Sequence, residues 1–409
     1  MKRLEREGKR GELFKKEKKM AIQENGKRGR EVAILLENGL FLKGKSFGAE
    51  GTAVGEIVFN TSMTGYQEIV TDPSYAGQFV VFTMPEIGNV GVNRDDNESR
   101  RAWLKGVIVR EYVENFSNFR GERSLGEFLK EEGVLGICEV DTRFLTKTIR
   151  DQGAMMMVAS TEIFDREKLA EILKNSPTIR EIDYIKEVTT PEPYTHPTGA
   201  WDDREMRYRD RPAELTPILV YDFGVKRNIL NLLTEAGLEC RVVPASFPAE
   251  EAIQLYRNRE IYGIFLSNGP GDPLILKEVH RKIEQFLEEG IPMFGICLGH
   301  QLLSIANGYP TFKLKFGHHG GNHPVKGSAT GMVEITAQNH NYNVPEEIRE
   351  VAEVTHLNLF DGTIEGVKYR GKPVFSVQHH PEGSPGPRES RYIFWEFAKM
   401  VKESQQKGE

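Results

Sequence analysis

From Glu31 onward the chain is punctuated by short apolar runs whose rhythm changes after about residue 213. The runs VAILLE (32–37) and LFLKGKSF (40–47) flank Asn38-Gly39, a dipeptide favoured in type I′ turns, and predict a β-hairpin. Between 55 and 160 the runs EIVFN, FVVFTM, GVIVR, VLGICEV and MMMVAS alternate with Gly-, Asn- and Pro-rich turns and with two helical stretches, 123–132 and 141–151. That pattern predicts a compact β-rich α+β domain. Residues 187–213 carry Pro191, Pro193, Pro197 and Pro212 without a sustained period and read as a linker.

After Pro217, strand-like and helix-like segments alternate: PILVYD, KRNILNLLTEAG, LECRVVPA, AEEAIQLYRNR, YGIFLS, LKEVHRKIEQFLEEG, IPMFGI and LGHQLLSIANG. Such alternation predicts right-handed βαβ crossovers, hence an α/β, doubly wound, mostly parallel sheet of flavodoxin-like type with its chemistry at the carboxyl ends of the strands. Residues 311–380 return to short strands and turns, and RYIFWEFAKMVKE closes the chain as an amphipathic helix. The expected organisation is a basic tail (1–30), an N-terminal domain (31–186), a linker (187–213) and a C-terminal domain (214–409).

Composition narrows the class. The 409 residues suggest two to three domains, and an apolar content of about 46%, counting Gly and leaving out Tyr, excludes disorder as the main state. Lys+Arg 54 against Asp+Glu 60 gives a net charge of −6, which favours neither nucleic acid nor an anionic membrane as partner. Cys138, Cys240 and Cys297 are too scattered for a disulfide framework or a metal knuckle, which points to a reducing compartment. No apolar run approaches the roughly 18 residues of a membrane span, and no signal-peptide core follows Met1, so a cytoplasmic location is expected. Residues 1–30 mix Lys and Arg with Glu and read as a frayed helix or tail, with Met20 as an alternative initiator.

The chemistry concentrates in three places. Gly295-Ile-Cys297-Leu298-Gly299-His300-Gln301 runs from a buried-type strand into a helix, a nucleophile elbow with sulfur. The flanking glycines are expected to permit the sharp turn, and the following helix N-terminus favours a thiolate and faces a developing oxyanion. Val374 to Glu382 forms a short strand ending in His380-Pro-Glu382, which places a base and its orienting carboxylate at one strand end. His379 should face the opposite side by strand alternation. Ser267-Asn-Gly269-Pro-Gly271-Asp-Pro follows the YGIFLS strand and brings backbone N–H groups near a substrate, where one can join the Leu298 N–H as an oxyanion hole.

GxCLGHQ, SNGPGDP and HPE in this order resemble the class I (triad) glutamine amidotransferases. FNTSMTGYQE (59–68), TDPSY (71–75), IGNVGVN (87–93), FGHHGGNHP (316–324), LFDGT (359–363) and SPGP (384–387) are similar to the small, glutaminase subunit family of carbamoyl-phosphate synthetases. The resemblance runs from about residue 31 to the C-terminus. It implies Cys297 as nucleophile, His380 as base and Glu382 as the group orienting it, with L-glutamine bound by Ser74, Gly269, Gly271, Leu298, Gln301, Asn339, Asn341 and Tyr342. The family usually has Gly-Phe where this chain has Asn341-Tyr342; an Asn that tolerates left-handed φ and a retained ring predict that the contact survives. The resemblance also implies a large synthetase partner, in a heterodimer or a higher assembly, making carbamoyl phosphate for arginine or pyrimidine synthesis. That partner would use the ATP and Mg²⁺, leaving no cofactor in this chain.

Competing readings have identifiable weaknesses. Gly39-Leu-Phe-Leu-Lys-Gly44-Lys45-Ser46 matches the phosphate-loop spacing, but LFLK is strand-like and no helix pattern follows, so no nucleotide site is expected. His318, His319 and His323 could be read as metal ligands on spacing; they lie in a Gly-rich stretch without cysteine or carboxylate partners, so no metal is expected. Another amidotransferase, such as the glutaminase of anthranilate or guanylate synthesis, fits the C-terminal half but not the FNTSMTGYQE text. A catalytically inactive regulatory subunit fits poorly with an intact Cys297, His380 and Glu382.

Overall fold

The computed structural model describes residues 29–407; the expected tail 1–30 lies almost wholly outside them. In the N-terminal half, β1 (Glu31–Leu36), β2 (Phe41–Ser46), β3 (Thr52–Asn60), β4 (Gln78–Phe82), β6 (Gly106–Ile108), β8 (Leu135–Cys138) and β9 (Met155–Ser160) close a barrel in the order β1-β2-β8-β6-β4-β3-β9. A small parallel pair, β5 (Glu86–Ile87) and β7 (Glu111–Tyr112), lies outside it. Period-two alternation sends Ile57, Phe79, Val81, Ile108 and Ile137 to one buried cluster and Val58, Val80, Phe82, Val107 and Val109 to another. Helices α1 (Tyr66–Thr71) and α2 (Leu125–Glu131) contribute Ile69, Val70, Leu125 and Phe128 to the second cluster. Strands buried on both faces explain why runs such as FVVF read as continuously apolar. α2 starts at a capping box of Ser124 and Glu127, α3 (Thr142–Gln152) at Asp141, and α4 (Arg166–Asn175) at Asp165.

The second half is built on β13 (Thr216–Asp222), β14 (Leu238–Pro244), β15 (Ile264–Leu266), β16 (Met293–Ile296) and β21 (Val374–Val377), parallel and ordered β14-β13-β15-β16-β21. Counted within this half, that is the 2-1-3-4-5 order of flavodoxin-like sheets, with its switch point between β13 and β15. Helices α6 (Arg227–Glu235) and α10 (Tyr392–Lys407) cover one face; α7 (Ala249–Arg257), α8 (Lys277–Glu289) and α9 (Leu298–Ala306) cover the other. Antiparallel β20 (Ile364–Tyr369), β19 (Ala352–Asn358), β17 (Phe312–Gly327) and β18 (Val333–Asn343) extend the sheet.

Several expectations need correction. The β1–β2 turn is not type I′: the Gly39 N–H donates to Leu36 O at 2.9 Å, and of the loop residues Gly39 has positive φ (85°) and Asn38 does not. Residues 311–343 are not short strands; β17 spans 16 residues and bends at two register shifts. The stretch 187–213 is more than a bare connection. After a short helix, α5 (Ile185–Val188), β10 (Tyr194–Thr195) pairs with β14, and the hairpin β11 (Thr198–Asp202)–β12 (Arg207–Asp210) lies against α6 through an ion pair of Arg209 with Glu235 at 2.6 Å. The two halves meet along the bent β17, where the Thr61 N–H donates to His319 O (3.3 Å) and the Ala154 N–H to Lys315 O (3.0 Å). Among the described residues, no helix is long and apolar enough to cross a membrane.

Candidate active site

Cys297 sits where β16 passes into α9, at the carboxyl edge of the parallel sheet. Its backbone takes φ 52° and ψ −103°, a conformation that costs a non-glycine residue about 1–3 kcal/mol. The elbow strain is therefore carried by the cysteine itself, and the flanking glycines have another task. A Cβ on Gly299 would lie 2.2 Å from Leu266 O, and one on Gly295 would lie 2.7 Å from the Gly299 backbone. Both glycines let α9 press against β15 and β16, which fixes where the thiol emerges. Leu298, as the first residue of α9, has an N–H without an intrahelical acceptor beside the thiol.

His380 comes from the far end of β21 and is buried. Its Nδ1–H donates to Glu382 Oε1 at 2.7 Å, and its Nε2 has no hydrogen-bond partner. Burial disfavours the imidazolium, but the charge and hydrogen bond of Glu382 and the nearby Cys297 sulfur overcome it and hold the His380 pKa well above its ordinary value. Burial likewise works against the Glu382 carboxylate, yet Lys226 and His380 hold its pKa below the usual range. The Cys297 thiol donates to Asn339 O at 3.5 Å. His379 faces the other way, its Nδ1 4.0 Å from Glu365 and its ring against His356, and burial leaves it neutral.

Sequence reasoning missed Lys226. Its Nζ, 4% exposed, donates to Glu382 Oε1 and to Gly383 O, both at 2.8 Å, so the row runs Lys226, Glu382, His380 and then the thiol. The available signal was position: Lys226 lies in the short turn between the end of β13 at Asp222 and α6, and therefore on the same carboxyl edge as Cys297 and His380.

A narrow pocket opens at the thiol, lined by Ser74, Gly269, Gly271, Cys297, Gln301, Asn339, Asn341 and Tyr342. Leu298 is not in its wall; its side chain packs toward Gly269. Ser74 Oγ accepts from Asn268 Nδ2 at 2.9 Å, which ties a residue of the barrel half to the SNGPGDP loop. Gln301 Nε2 donates to Tyr342 O (2.9 Å), and the Tyr342 hydroxyl donates to Asp272 (2.9 Å). Gln78 and Glu56 also line the cavity and come from the barrel; Glu56 is 2% exposed and pairs with Lys313. Asn341 does not adopt left-handed φ. It lies in β18, and its Nδ2 donates to Glu56 Oε2 at 2.7 Å, an interdomain contact that glycine could not make.

One of the three histidines, His318, does have carboxylate partners, brought from more than 35 residues away, whereas His319 contacts the side chains of Asn339 and Asn341. His318 Nε2–H donates to Asp361 at 2.8 Å, and His318 Nδ1 is 3.7 Å from Glu365. Among the described residues, His318, His340 and Glu365 form one group whose ligand atoms lie within 4.8 Å of one another. Their atoms are engaged: His340 Nδ1 contacts Tyr342 O (2.8 Å), its Nε2 contacts Gln338 (3.0 Å), and Glu365 accepts from Asn358 and Gln338. The arrangement fits a buried hydrogen-bond network better than an open coordination sphere. Lys45 and Ser46 lie in β2, where Lys45 pairs with Glu31 and Cys138, a geometry unlike a loop that cradles phosphate.

Comparison with known proteins places this geometry in context. The model of the carbamoyl-phosphate synthase small chain, CPSase domain, matches residues 34–159, and that of the class-I glutamine amidotransferases matches residues 219–400. The carbamoyl phosphate synthase small chain of Helicobacter hepaticus is 57% identical over 371 residues, covering 91% of this chain and 98% of its own length. That of Helicobacter pylori is 58% identical, with 91% and 100% covered. The protein of the same name from Aquifex aeolicus is 50% identical, with 91% and 99% covered.

Proposed function

The chain belongs to the carbamoyl-phosphate synthase small-chain family and is its glutamine-hydrolysing component; on that premise we propose that Cys297, His380 and Glu382 carry out the hydrolysis of L-glutamine. The observation that supports this reading best is the strained Cys297 at the strand-to-helix elbow with the buried row His380, Glu382 and Lys226 behind it. His380 Nε2 takes the thiol proton, and Cys297 Sγ attacks the side-chain amide carbon. The Leu298 N–H and an N–H of the Gly269 loop face the oxyanion. Collapse breaks the C–N bond as the imidazolium gives its proton to the leaving nitrogen, releasing ammonia and leaving a glutamyl thioester. Water, deprotonated by His380, then attacks the thioester; glutamate leaves and the thiol is restored. Ser74, Gly269, Gly271, Leu298, Gln301, Asn339, Asn341 and Tyr342 bind the substrate in this reading.

Ammonia then passes to a separate large chain, which uses ATP, Mg²⁺ and bicarbonate to make carbamoyl phosphate. The test is Cys297→Ser in the complex with that chain. Glutamine-dependent synthesis is expected to disappear while synthesis from added ammonia continues. Equal loss of both activities would overturn the division of labour, and retained glutamine hydrolysis would overturn the nucleophile.

A further inference from the structure

The start of α6 is held by the other half of the molecule. Lys226, the residue before the helix, makes no side-chain cap, so the first N–H groups of α6 need outside acceptors. Two of them find the same residue: the Arg227 N–H donates to Glu98 O at 2.7 Å, and the Asn228 N–H donates to Glu98 Oε2 at 3.0 Å. Glu98 belongs to the barrel half, is 6% exposed, and is anchored there by its own N–H, which donates to Thr71 Oγ1 at 2.9 Å. Arg227 also donates to Asp95 O in the same loop.

These helix residues are the ones that hold the triad carboxylate. Lys226 Nζ donates to Glu382 Oε1, and Asn228 Nδ2 donates to Glu382 O at 2.9 Å. Lys226 therefore lies between two buried carboxylates, bonded to Glu382 and attracted by the charge of Glu98, and both help keep it protonated despite its burial. Resting on the glutaminase reading above, we propose that Glu98 is a positioning residue for glutamine hydrolysis: it caps α6 across the domain boundary and so fixes Lys226 and Asn228, which in turn aim Glu382 at His380. A carboxylate at a helix N-terminus complements the helix dipole, and an acceptor there satisfies otherwise orphaned donors. Burial pushes the Glu98 carboxyl up from its ordinary range against the pull of Lys226 and the Asn228 N–H, so acceptor and charge need separate variants.

The experiment compares Glu98→Gln and Glu98→Ala, each in complex with the large chain, with Cys297→Ser as control. Because Glu98 touches the triad's support and not the glutamine cavity, the expected result is a fall in kcat for glutamine hydrolysis with KM for glutamine within about twofold. The fall should be about tenfold for Glu98→Ala, the factor lost with one buried charge-assisted hydrogen bond. Glu98→Gln, which keeps an acceptor, should recover part of it, and ammonia-dependent synthesis should match the wild type. Unchanged kcat, a change confined to KM, or a loss shared equally with ammonia-dependent synthesis would overturn the proposal. If Glu98→Ala does not fold, the near-isosteric Glu98→Gln decides by the same criteria. Retention of glutamine hydrolysis by Cys297→Ser would instead refute the glutaminase reading itself.

Discussion

Replacing Glu382 by Gln tests how the buried row works. The substitution keeps the shape but removes the charge that accepts from His380 at 2.7 Å and pairs with Lys226 at 2.8 Å. Glu382 is fully buried and His380 is 3% exposed, so solvent does not screen the loss. A hydrogen bond to a charged group is worth about 1.5–3 kcal/mol, which corresponds to a fall in kcat/KM of roughly 10- to 150-fold. Burial lowers the His380 pKa and the Glu382 charge raises it; with the charge gone, burial wins and the imidazole loses its proton more readily. The amide also offers both a donor and an acceptor to Nδ1, so the tautomer with a free Nε2 lone pair is no longer enforced. Removing one partner of a buried ion pair costs about 3–5 kcal/mol, so stability should fall as well, moderated by the second carboxylate near Lys226. The assay is glutamine hydrolysis by the complex across pH, at temperatures where melting curves show the variant folded, with ammonia-dependent synthesis as internal control. The limb of the profile that reports the imidazole should move to lower pH. A kcat/KM within twofold of wild type with an unmoved limb would refute the reasoning; a loss as complete as that of Cys297→Ser would show that the carboxylate does more than orient its neighbour.

Three further outcomes are expected. His380→Asn should abolish glutamine hydrolysis, whereas His379→Asn, measured per folded molecule, should reduce it less, because His379 faces Glu365 and His356; equal damage would reassign the base. Gly299→Ala places a Cβ 2.2 Å from Leu266 O, so α9 must shift at an overpacking cost of about 1–3 kcal/mol; an unchanged melting temperature in calorimetry would contradict that packing. His318 is pushed up to about 9 from an ordinary 6.5, since bonds and charge from Asp361 and Glu365 outweigh its burial. A folded-state pKa above the unfolded one gives stabilisation that is complete below pH 6.5 and is lost as pH rises toward 9. The melting temperature of the wild type should therefore fall across that window, and His318→Asn should fall less.

Local pattern set the periods and the places where the chain turns, though not the turn type at Asn38-Gly39. Alternating strand and helix text from PILVYD to LGHQLLSIANG specified the parallel sheet, because each segment is bounded by its own Gly, Pro or polar break and each pattern follows the local backbone repeat. The same locality made the Cys297 elbow and the His380-Pro-Glu382 strand end legible, since each needs only a few adjacent residues. Tertiary structure decided what depends on pairing across long separations. Closure of the barrel brings β9 against both β1 and β3, and the apolar runs do not encode that register. The carboxylate partners of His318 are 43 and 47 residues further along, and Lys226 is 156 residues from the Glu382 it holds. Asn341 looked like a turn residue because its type tolerates left-handed φ; the bend of β17 and β18 toward the barrel instead gave its side chain a buried acceptor on Glu56. A buried charge must find its partner wherever the folded chain supplies one, and that requirement leaves no period in the sequence.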